Sequence, residues 1–147
     1  MLVADASAVV EILMATPTGF AIEHRLFGSE QPVAAPHLLD VEVLHVMRRF
    51  NRTNQLPAAR AEQALDDLGA LAITRYGHEI LRSAMWRLRN ILSAYDAAYV
   101  ALAELLGAPI VTCDARLARS RGHAATFYVY PRGSDSAAAG DRDTSKP

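Results

Sequence analysis

Residues 93–107 read SAYDAAYVALAELLG, the pattern of a helix that packs inside a protein. Between Ala97 and Gly107 the only charged residue is Glu104, and a helix that is apolar on nearly all sides belongs in a core. Asp96 nevertheless lies in the first turn of this helix. An ionised carboxylate near a core must be capped, paired or bound to a cation. The stretch therefore predicts a buried helix whose first turn holds a carboxylate in need of a partner.

The rest of the chain predicts one α/β domain around that helix. Its 147 residues are 51% hydrophobic, which suffices for a single core. Strand-like segments such as MLVAD (1–5) and APIVTCD (108–114) alternate with helical segments in the order β-α-α-β-α-α-β-α-α-β-α-β. This order predicts a mainly parallel central sheet flanked by helices, spanning residues 1–131. Residues 132–147 contain no Leu, Ile, Val or Phe, and we expect a flexible tail there.

Local signals predict where the helices begin and end. We expect Ser7 to cap the first helix, and Pro17 and Gly28 to mark the start and end of the second. Pro36 is expected to open the longest helical run, and Pro57 to begin the helix after it.

The composition limits the kinds of site and compartment. A formal net charge of −1 gives no general attraction to nucleic acid, so a polyanionic partner requires a local basic patch. The single lysine, Lys146, lies next to last, which excludes a buried catalytic lysine. The single cysteine, Cys113, cannot form an internal disulfide; we expect a small core residue and a reducing cytoplasm. The sequence predicts neither a signal peptide nor a membrane span, because it has no basic leader and no apolar run of ~20 residues.

Four acidic residues lie where a parallel sheet would bring them together. Asp5 closes the first strand and Asp114 follows the strand PIVT, and ligands gather at the carboxyl ends of such strands. Asp96 begins the buried helix, and Glu42 borders the apolar face of the third helix. Carboxylates at close range raise each other's pKa, so a cluster of them is stable mainly with bound cations. Oxygen ligands of this kind suit Mg²⁺ or Mn²⁺.

Each acid alone also has an ordinary structural explanation. Ser93 and Asp96 match a capping box, in which the carboxylate accepts a hydrogen bond at the helix N-terminus. Glu42 has Arg49 and His45 beside it on the helix, and a surface salt bridge would satisfy it. The two strand-end aspartates could each cap the helix that follows. These explanations stay open on the sequence alone.

Four segments in order carry a resemblance to a known family. They are VADASAVV (3–10), HLLDVEVLHVMRR (37–49), YDAAYVALAE (95–104) and VTCDARLA (111–118). Their order and spacing resemble those of PIN-domain proteins, and among these the VapC-type toxins of bacterial toxin–antitoxin pairs. The resemblance covers residues 1–130 and implies a PIN-like fold.

The resemblance also implies a site and its cofactor. It places Asp5, Glu42, Asp96 and Asp114 around one or two Mg²⁺ or Mn²⁺ ions. Asp5 and Asp96 are expected to hold the first ion, Asp114 to complete or bridge its shell, and Glu42 to orient a water or help hold a second ion. Small hydroxyls that support such a site correspond to two further residues, Ser7 and Thr112. Some relatives carry another acid just after the Asp114 position, where this chain does not, so the number of ions stays open.

The function implied by the resemblance is that of a metal-dependent endoribonuclease toxin of a type II toxin–antitoxin system. It would hydrolyse phosphodiesters in structured RNA, either tRNA or rRNA, and leave 5′-phosphate and 3′-hydroxyl ends. The resemblance further implies a VapB-type antitoxin that blocks the cleft, and a toxin homodimer. The alternative is a non-catalytic RNA- or protein-binding module of the same fold.

Arginines near the predicted site are candidates for RNA contacts. The trio that follows Asp114 is predicted to hold RNA phosphates: Arg116, Arg119 and Arg121. For the trio that precedes the buried helix, phosphate contact and simple solvation are equally open: Arg82, Arg87 and Arg89. Trp86 and Tyr95 could stack on bases, but we expect core or interface positions for them.

Overall fold

Five short strands form one fully parallel sheet in the computed structural model, which describes residues 1–132. In chain order the strands are β1 (Leu2–Ala4), β2 (Val33–Pro36), β3 (Ile73–Tyr76), β4 (Ile110–Thr112) and β5 (Phe127–Val129). Their order across the sheet is β3-β2-β1-β4-β5, with Val3 paired to Ala34 on one side and Ile110 on the other. The predicted α/β fold with a mainly parallel sheet is confirmed.

Within residues 1–132, seven helices connect the strands in the predicted order. They are α1 (Ala6–Leu13), α2 (Pro17–Phe27), α3 (Leu38–Arg52), α4 (Ala58–Ala70), α5 (Arg82–Arg87), α6 (Ala94–Leu106) and α7 (Ala115–Ala118). A 3₁₀ turn at His78–Ile80 precedes α5. Within residues 1–132 no single helix has the length and apolar character to cross a membrane; α1 and α2 do so only as a pair bent by 115°.

The central helix α6 is the buried helix that the sequence predicts. Every residue from Ala97 to Ala103 is buried, and the helix packs on β1, β2 and β4. Its small alanines let the helix backbone approach the sheet closely. Gly107 ends the helix in a left-handed conformation at φ 58°, which glycine adopts without strain. Because α6 returns the chain to a parallel strand, its N-terminus and Asp96 lie at the carboxyl edge of the sheet.

Two predicted helix boundaries are wrong. Ser7 does not cap α1: Asp5 occupies the N-cap position, and Ser7 lies inside the first turn. Pro36 does not open α3; it ends β2 opposite Tyr76, and the helix starts at Leu38. The N–H of His37 donates to the Tyr76 carbonyl at 2.9 Å, continuing the pairing that a proline cannot.

The other predicted helix signals agree with the structure. Pro17 and Gly28 bracket α2, and Pro57 is the N-cap residue of α4. The helical stretch predicted between β3 and α6 is divided into the 3₁₀ turn and the short helix α5. The predicted tail lies outside the described residues except for Arg132, whose guanidinium is 3.4 Å from the Glu11 carboxylate.

A glycine holds α2 against α1, the helix that follows the first strand. Gly19 is buried, and its N–H donates to the Thr16 side chain at 2.9 Å, which caps α2. A methyl group at position 19 would lie 2.1 Å from the Glu11 carbonyl oxygen, inside contact distance of the α1 backbone. Position 19 therefore has room only for glycine while the two helices keep this spacing.

We expect Gly19→Ala to lower the free energy of unfolding by about 1–3 kcal/mol, because the α1 backbone must move to admit the methyl group. The matched control is Gly69→Ala on the exposed face of α4, where no atom lies within 4 Å of the added carbon. That change should raise the free energy of unfolding by up to about 1 kcal/mol through helix propensity alone. Urea denaturation measures both. Equal effects of the two substitutions would contradict the close packing of α1 and α2.

Candidate active site

The four predicted acids line one cleft of about 660 Å³. Asp5 and Asp114 follow β1 and β4, Glu42 projects from the second turn of α3, and Asp96 lies in the first turn of α6. Four separate elements thus bring a carboxylate to the carboxyl edge of the sheet. We call this cleft the acid cleft.

Asp5 is the most deeply buried of these acids. Its Oδ2 accepts a hydrogen bond from Thr112 Oγ1 at 2.7 Å and another from the Ser7 hydroxyl. Those hydroxyls accept in turn from the N–H groups of Asp114 and Cys113, both at 2.9 Å. Burial raises the pKa of Asp5 above its ordinary value, although the two hydrogen bonds oppose the rise. Ser7 and Thr112 thus fix the carboxylate where β1 and β4 end.

Glu42 is half-buried and is held by a tyrosine of the core helix. The Tyr99 hydroxyl donates to Glu42 Oε2 at 2.6 Å. Burial raises the pKa of Glu42, and the negative charges of Asp5 and Asp96 add to the rise. The expected surface salt bridge with Arg49 or His45 is not formed within residues 1–132.

Asp96 and Asp114 share one guanidinium. Nη2 of Arg116 lies 3.0 Å from Asp96 Oδ2 and 3.2 Å from Asp114 Oδ2. Both aspartates also take part in helix caps: the N–H of Asp96 donates to Ser93 Oγ, and Asp114 Oδ1 accepts from the N–H groups of Arg116 and Leu117. In the capping box, the carboxylate of Asp96 contacts the arginine rather than the backbone of Ser93. Helix capping and clustering therefore coexist at these acids.

The positive charges at the acid cleft differ from those expected. Of the predicted trio, Arg116 contacts the acids, whereas Arg119 and Arg121 are exposed and do not line the cleft. Two other arginines, Arg49 and Arg132, line it instead. Arg49 lies two turns after Glu42 on α3, so helical spacing was the signal that could have placed it.

Tyr99 also escaped the sequence analysis. It follows Asp96 by three residues and therefore shares a face of α6 with it. A tyrosine on the acid-bearing face of a buried helix needs a partner for its hydroxyl, and Glu42 is that partner.

Cys113 lines the acid cleft, but its thiol is not a candidate nucleophile. The residue is buried, as expected of a core position. Burial is the main reason that the pKa of its thiol rises to about 12, so the thiol stays protonated at neutral pH.

The donor set of the acid cleft suits a hard divalent cation. Five carboxylates, those of the four predicted acids and of Glu11, and the Ser7 hydroxyl supply oxygen donors, and the described residues that line the cleft include no histidine. Within residues 1–132 no three acidic, histidine or cysteine side chains are already arranged around a single point. The contacts explain why: Arg116 lies between two of the carboxylates, and the Asp5 oxygen is engaged by two hydroxyls. The residues fit a metal ion chemically, after side-chain rearrangement.

Comparisons with known proteins agree with this fold. The family model described as "PIN domain" matches residues 2–122. Ribonuclease VapC12 of Mycobacterium tuberculosis is 38% identical over 129 residues, covering 88% of this chain and 98% of the relative.

Two solved structures share the fold. VapC20 of Mycobacterium tuberculosis, described as a sarcin–ricin loop cleaving toxin, matches with a TM-score of 0.59 and 16% identity over 80% of this chain and 92% of that one. VapBC2 of Rickettsia felis, solved bound to a DNA fragment from its promoter, matches with a TM-score of 0.58 and 12% identity over 88% and 98%. At these identities the likeness concerns the fold alone.

The family model and the VapC12 identity each span most of the chain. The residues matched by the family model, 2–122, include all four predicted acids of the cleft. The chain therefore belongs to the PIN-domain family and, within it, to the VapC ribonuclease toxins.

Proposed function

We propose that this chain is a Mg²⁺- or Mn²⁺-dependent endoribonuclease that hydrolyses phosphodiester bonds in structured RNA, tRNA or rRNA. The observation that carries the proposal is the convergence of four carboxylates from four elements on one cleft. Relatives named ribonucleases support RNA as the substrate. VapC20, described as cleaving a sarcin–ricin loop, supports a structured target.

Asp5, Asp96 and Asp114 are the residues that would hold the ion. The raised pKa values of Asp5 and Glu42 support this, because a cation placed among these acids offsets their repulsion and their loss of hydration. When bound, a divalent ion neutralises charge on the phosphate and makes water a stronger nucleophile at neutral pH.

The chain's own residues orient the reactants. Ser7 and Thr112 hold the Asp5 carboxylate in a fixed rotamer, and Tyr99 holds Glu42 toward the cleft. Glu42 would thereby orient the attacking water or help to hold a second ion. Attack by water on phosphorus, with departure of the ribose 3′ oxygen, leaves a 5′-phosphate and a 3′-hydroxyl.

Cleavage of RNA by the purified chain tests the proposal. Asp96→Asn should reduce cleavage by about 100-fold or more. Loss of a residue that only supports a metal ligand lowers activity by up to about 100-fold, and loss of a charged ligand itself should lower it further. Asp66→Asn is the matched control, since Asp66 is an exposed aspartate of α4 remote from the acid cleft. Circular dichroism melts establish that both variants fold.

Three outcomes would contradict the proposal. Fragments that appear equally with Mg²⁺ and with EDTA would exclude dependence on a metal ion. Undiminished cleavage by Asp96→Asn would remove the acid cleft from the reaction, and absence of cleavage by the wild-type chain would favour the non-catalytic binding module.

Arg116 acts as an internal counter-ion that a metal ion displaces. We expect Arg116→Gln to tighten Mn²⁺ binding by about two- to fivefold, because an exposed ion pair contributes up to about 1 kcal/mol. Isothermal titration of the RNA-free protein measures this. Arg119→Gln removes a nearby charge that contacts neither carboxylate and controls for the change in net charge. Weaker Mn²⁺ binding by Arg116→Gln than by the control would refute the competition.

Stability without divalent ions should depend on the protonation of Asp5. Because its pKa is raised in the folded protein, the fold binds this proton more tightly than the unfolded chain does. The stability that this group contributes is therefore present at low pH and lost as the pH rises through the raised pKa.

We expect Asp5→Asn, measured in EDTA, to be more stable than the wild type at about pH 8 by on the order of 1 kcal/mol, with the difference shrinking as the pH falls toward the ordinary carboxyl pKa of about 4. Urea denaturation over this range of pH provides the measurement. A difference of constant size over the whole range would contradict the raised pKa.

The chain acts in the cytoplasm and pairs with a VapB-type antitoxin and a second copy of itself. A VapBC complex among the structures of the same fold supports the antitoxin. Exposed apolar side chains on α2 and α3 support contacts with partner chains, namely Phe20, Val41 and Leu44. A lone buried cysteine suits a reducing compartment.

A further inference from the structure

A second cavity, of about 700 Å³, lies beside the acid cleft between the α5 region and the start of α6. Its wall is largely apolar, and most of its polar side chains are basic. The side chains that matter here are Trp86, Met85 and Leu92 on the apolar side and His78, Arg82 and Arg89 on the basic side. We call it the tryptophan cavity.

Trp86 is held in place and yet exposed. The sequence favoured a core or interface position for Trp86; 70% of its surface is accessible, so it is not a core residue, and the interface alternative stays a prediction. The Arg89 guanidinium carbon lies 4.9 Å from the ring centroid, and Arg89 Nη1 donates to the Trp86 carbonyl at 3.0 Å. The cation covers part of the ring and polarises it, while the rest stays available to a flat ligand.

Within residues 1–132, the arginines of the tryptophan cavity form no ion pair. Neither Arg82 nor Arg89 forms a salt bridge there, and no acidic residue of that range lines the cavity. Arg87 differs, because its Nη2 pairs with Glu104 Oε2 at 2.9 Å. Glu79 lines the adjoining pocket with Arg82 and Trp86 but pairs with neither arginine, so the cavity itself keeps a positive lining.

This combination favours a nucleotide over a protein partner. An aromatic ring for stacking and arginines for phosphates are how proteins hold single-stranded nucleic acid. A second copy of this chain docking through the same face would bring like charges together and bury unpaired guanidiniums, which is unfavourable. The base of a nucleotide would pack against the apolar wall, and its phosphates would pair with the arginines.

The linings of the tryptophan cavity and the acid cleft approach each other at the first turn of α6. Ser93 and Ala94 line the cavity, and Asp96 lines the cleft. At a rise of about 1.5 Å per residue, these positions are only a few ångströms apart along the helix axis. A strand bound at the acid cleft can therefore reach the tryptophan cavity with a nearby nucleotide.

We propose that the tryptophan cavity binds an unpaired base of the RNA substrate, stacked on Trp86, with adjacent phosphates on Arg82 and Arg89. The choice of RNA rests on the proposed function; the preference for an unpaired base rests on the cavity. The site selects RNA that is single-stranded next to the cleaved bond.

The chain contains a single tryptophan, so its fluorescence reports on this cavity alone. The probe is a single-stranded oligoadenylate of about eight nucleotides, added to the wild-type protein in EDTA so that no strand is cut. We expect saturable quenching of Trp86 fluorescence, with the same midpoint as the anisotropy rise of an end-labelled probe. The same oligoadenylate paired with oligouridylate should quench far less.

Variants separate stacking from charge. Trp86→Ala should weaken binding by about tenfold, and Trp86→Phe should restore part of the loss. Arg82→Gln and Arg89→Gln should each reduce the slope of log affinity against log salt by about 0.7. Arg87→Gln is the matched control, and we expect an unchanged slope because its charge is already paired.

The outcomes distinguish this proposal from the proposed function. An anisotropy rise without quenching would place RNA elsewhere and overturn the proposal. The Trp86→Ala variant could also bind RNA normally but sediment as a monomer where the wild type sediments as a dimer. That result would make the tryptophan cavity an interface between two copies of the chain. Saturable quenching with no cleavage in Mg²⁺ would uphold the tryptophan cavity while the endoribonuclease function fails. If Trp86→Ala still cleaves and binds RNA, the tryptophan cavity proposal fails while the endoribonuclease function stands.

Discussion

The fold must hold four carboxylates close together against their mutual repulsion, and the arrangement of the acid cleft follows from this constraint. Side chains of like charge move apart in water unless the surrounding fold prevents it. Here Asp5 is buried and held by two hydroxyls, and Glu42 is held by a tyrosine of the core helix. Asp96 and Asp114 remain close because one guanidinium lies between them. The acid cleft thus contains negative charge that the fold confines without fully neutralising.

The parallel sheet makes this confinement possible. All five strands point the same way, so β1 and β4 end side by side, and their backbones are joined where the N–H of Asp5 donates to the Val111 carbonyl at 3.0 Å. Helix α6, rich in alanine, packs on these strands and carries Asp96 in its first turn. Asp5 and Glu42 are nonetheless held with raised pKa values, an unfavourable arrangement that a structure retains where a function requires it.

The sequence predicts the positions of the acids better than the contacts around them. Strand ends in a parallel sheet meet at one edge, so the nearness of Asp5 and Asp114 follows from topology. The contact between Tyr99 and Glu42 joins α6 to α3 and depends on how two helices pack, which local patterns do not specify. Ser7 illustrates a local rule overridden by tertiary structure: its hydroxyl bridges Asp5 and the Cys113 N–H across two strands instead of capping its helix.

Nearness in sequence to Asp114 is also a poor predictor of which basic groups surround the acid cleft. Arg119 and Arg121 follow Asp114 closely but turn away, because α7 is only one turn long and the chain then leaves for β5. Arg132 reaches the acid cleft from beyond β5, where its pair with Glu11 ties it to α1.

The first turn of α6 joins two surfaces of opposite charge. Ser93, its cap, borders the tryptophan cavity with its unpaired arginines, and Asp96 borders the acid cleft with its clustered carboxylates. A polyanionic chain is attracted by the first surface and repelled by the second. Repulsion at the cleft disappears only when a cation offsets the carboxylates, so a strand can be held at the cavity before its phosphate is accepted at the cleft. If RNA binds as proposed, recognition and chemistry are separated by about one helical turn, and the charge of the acid cleft decides when they act together.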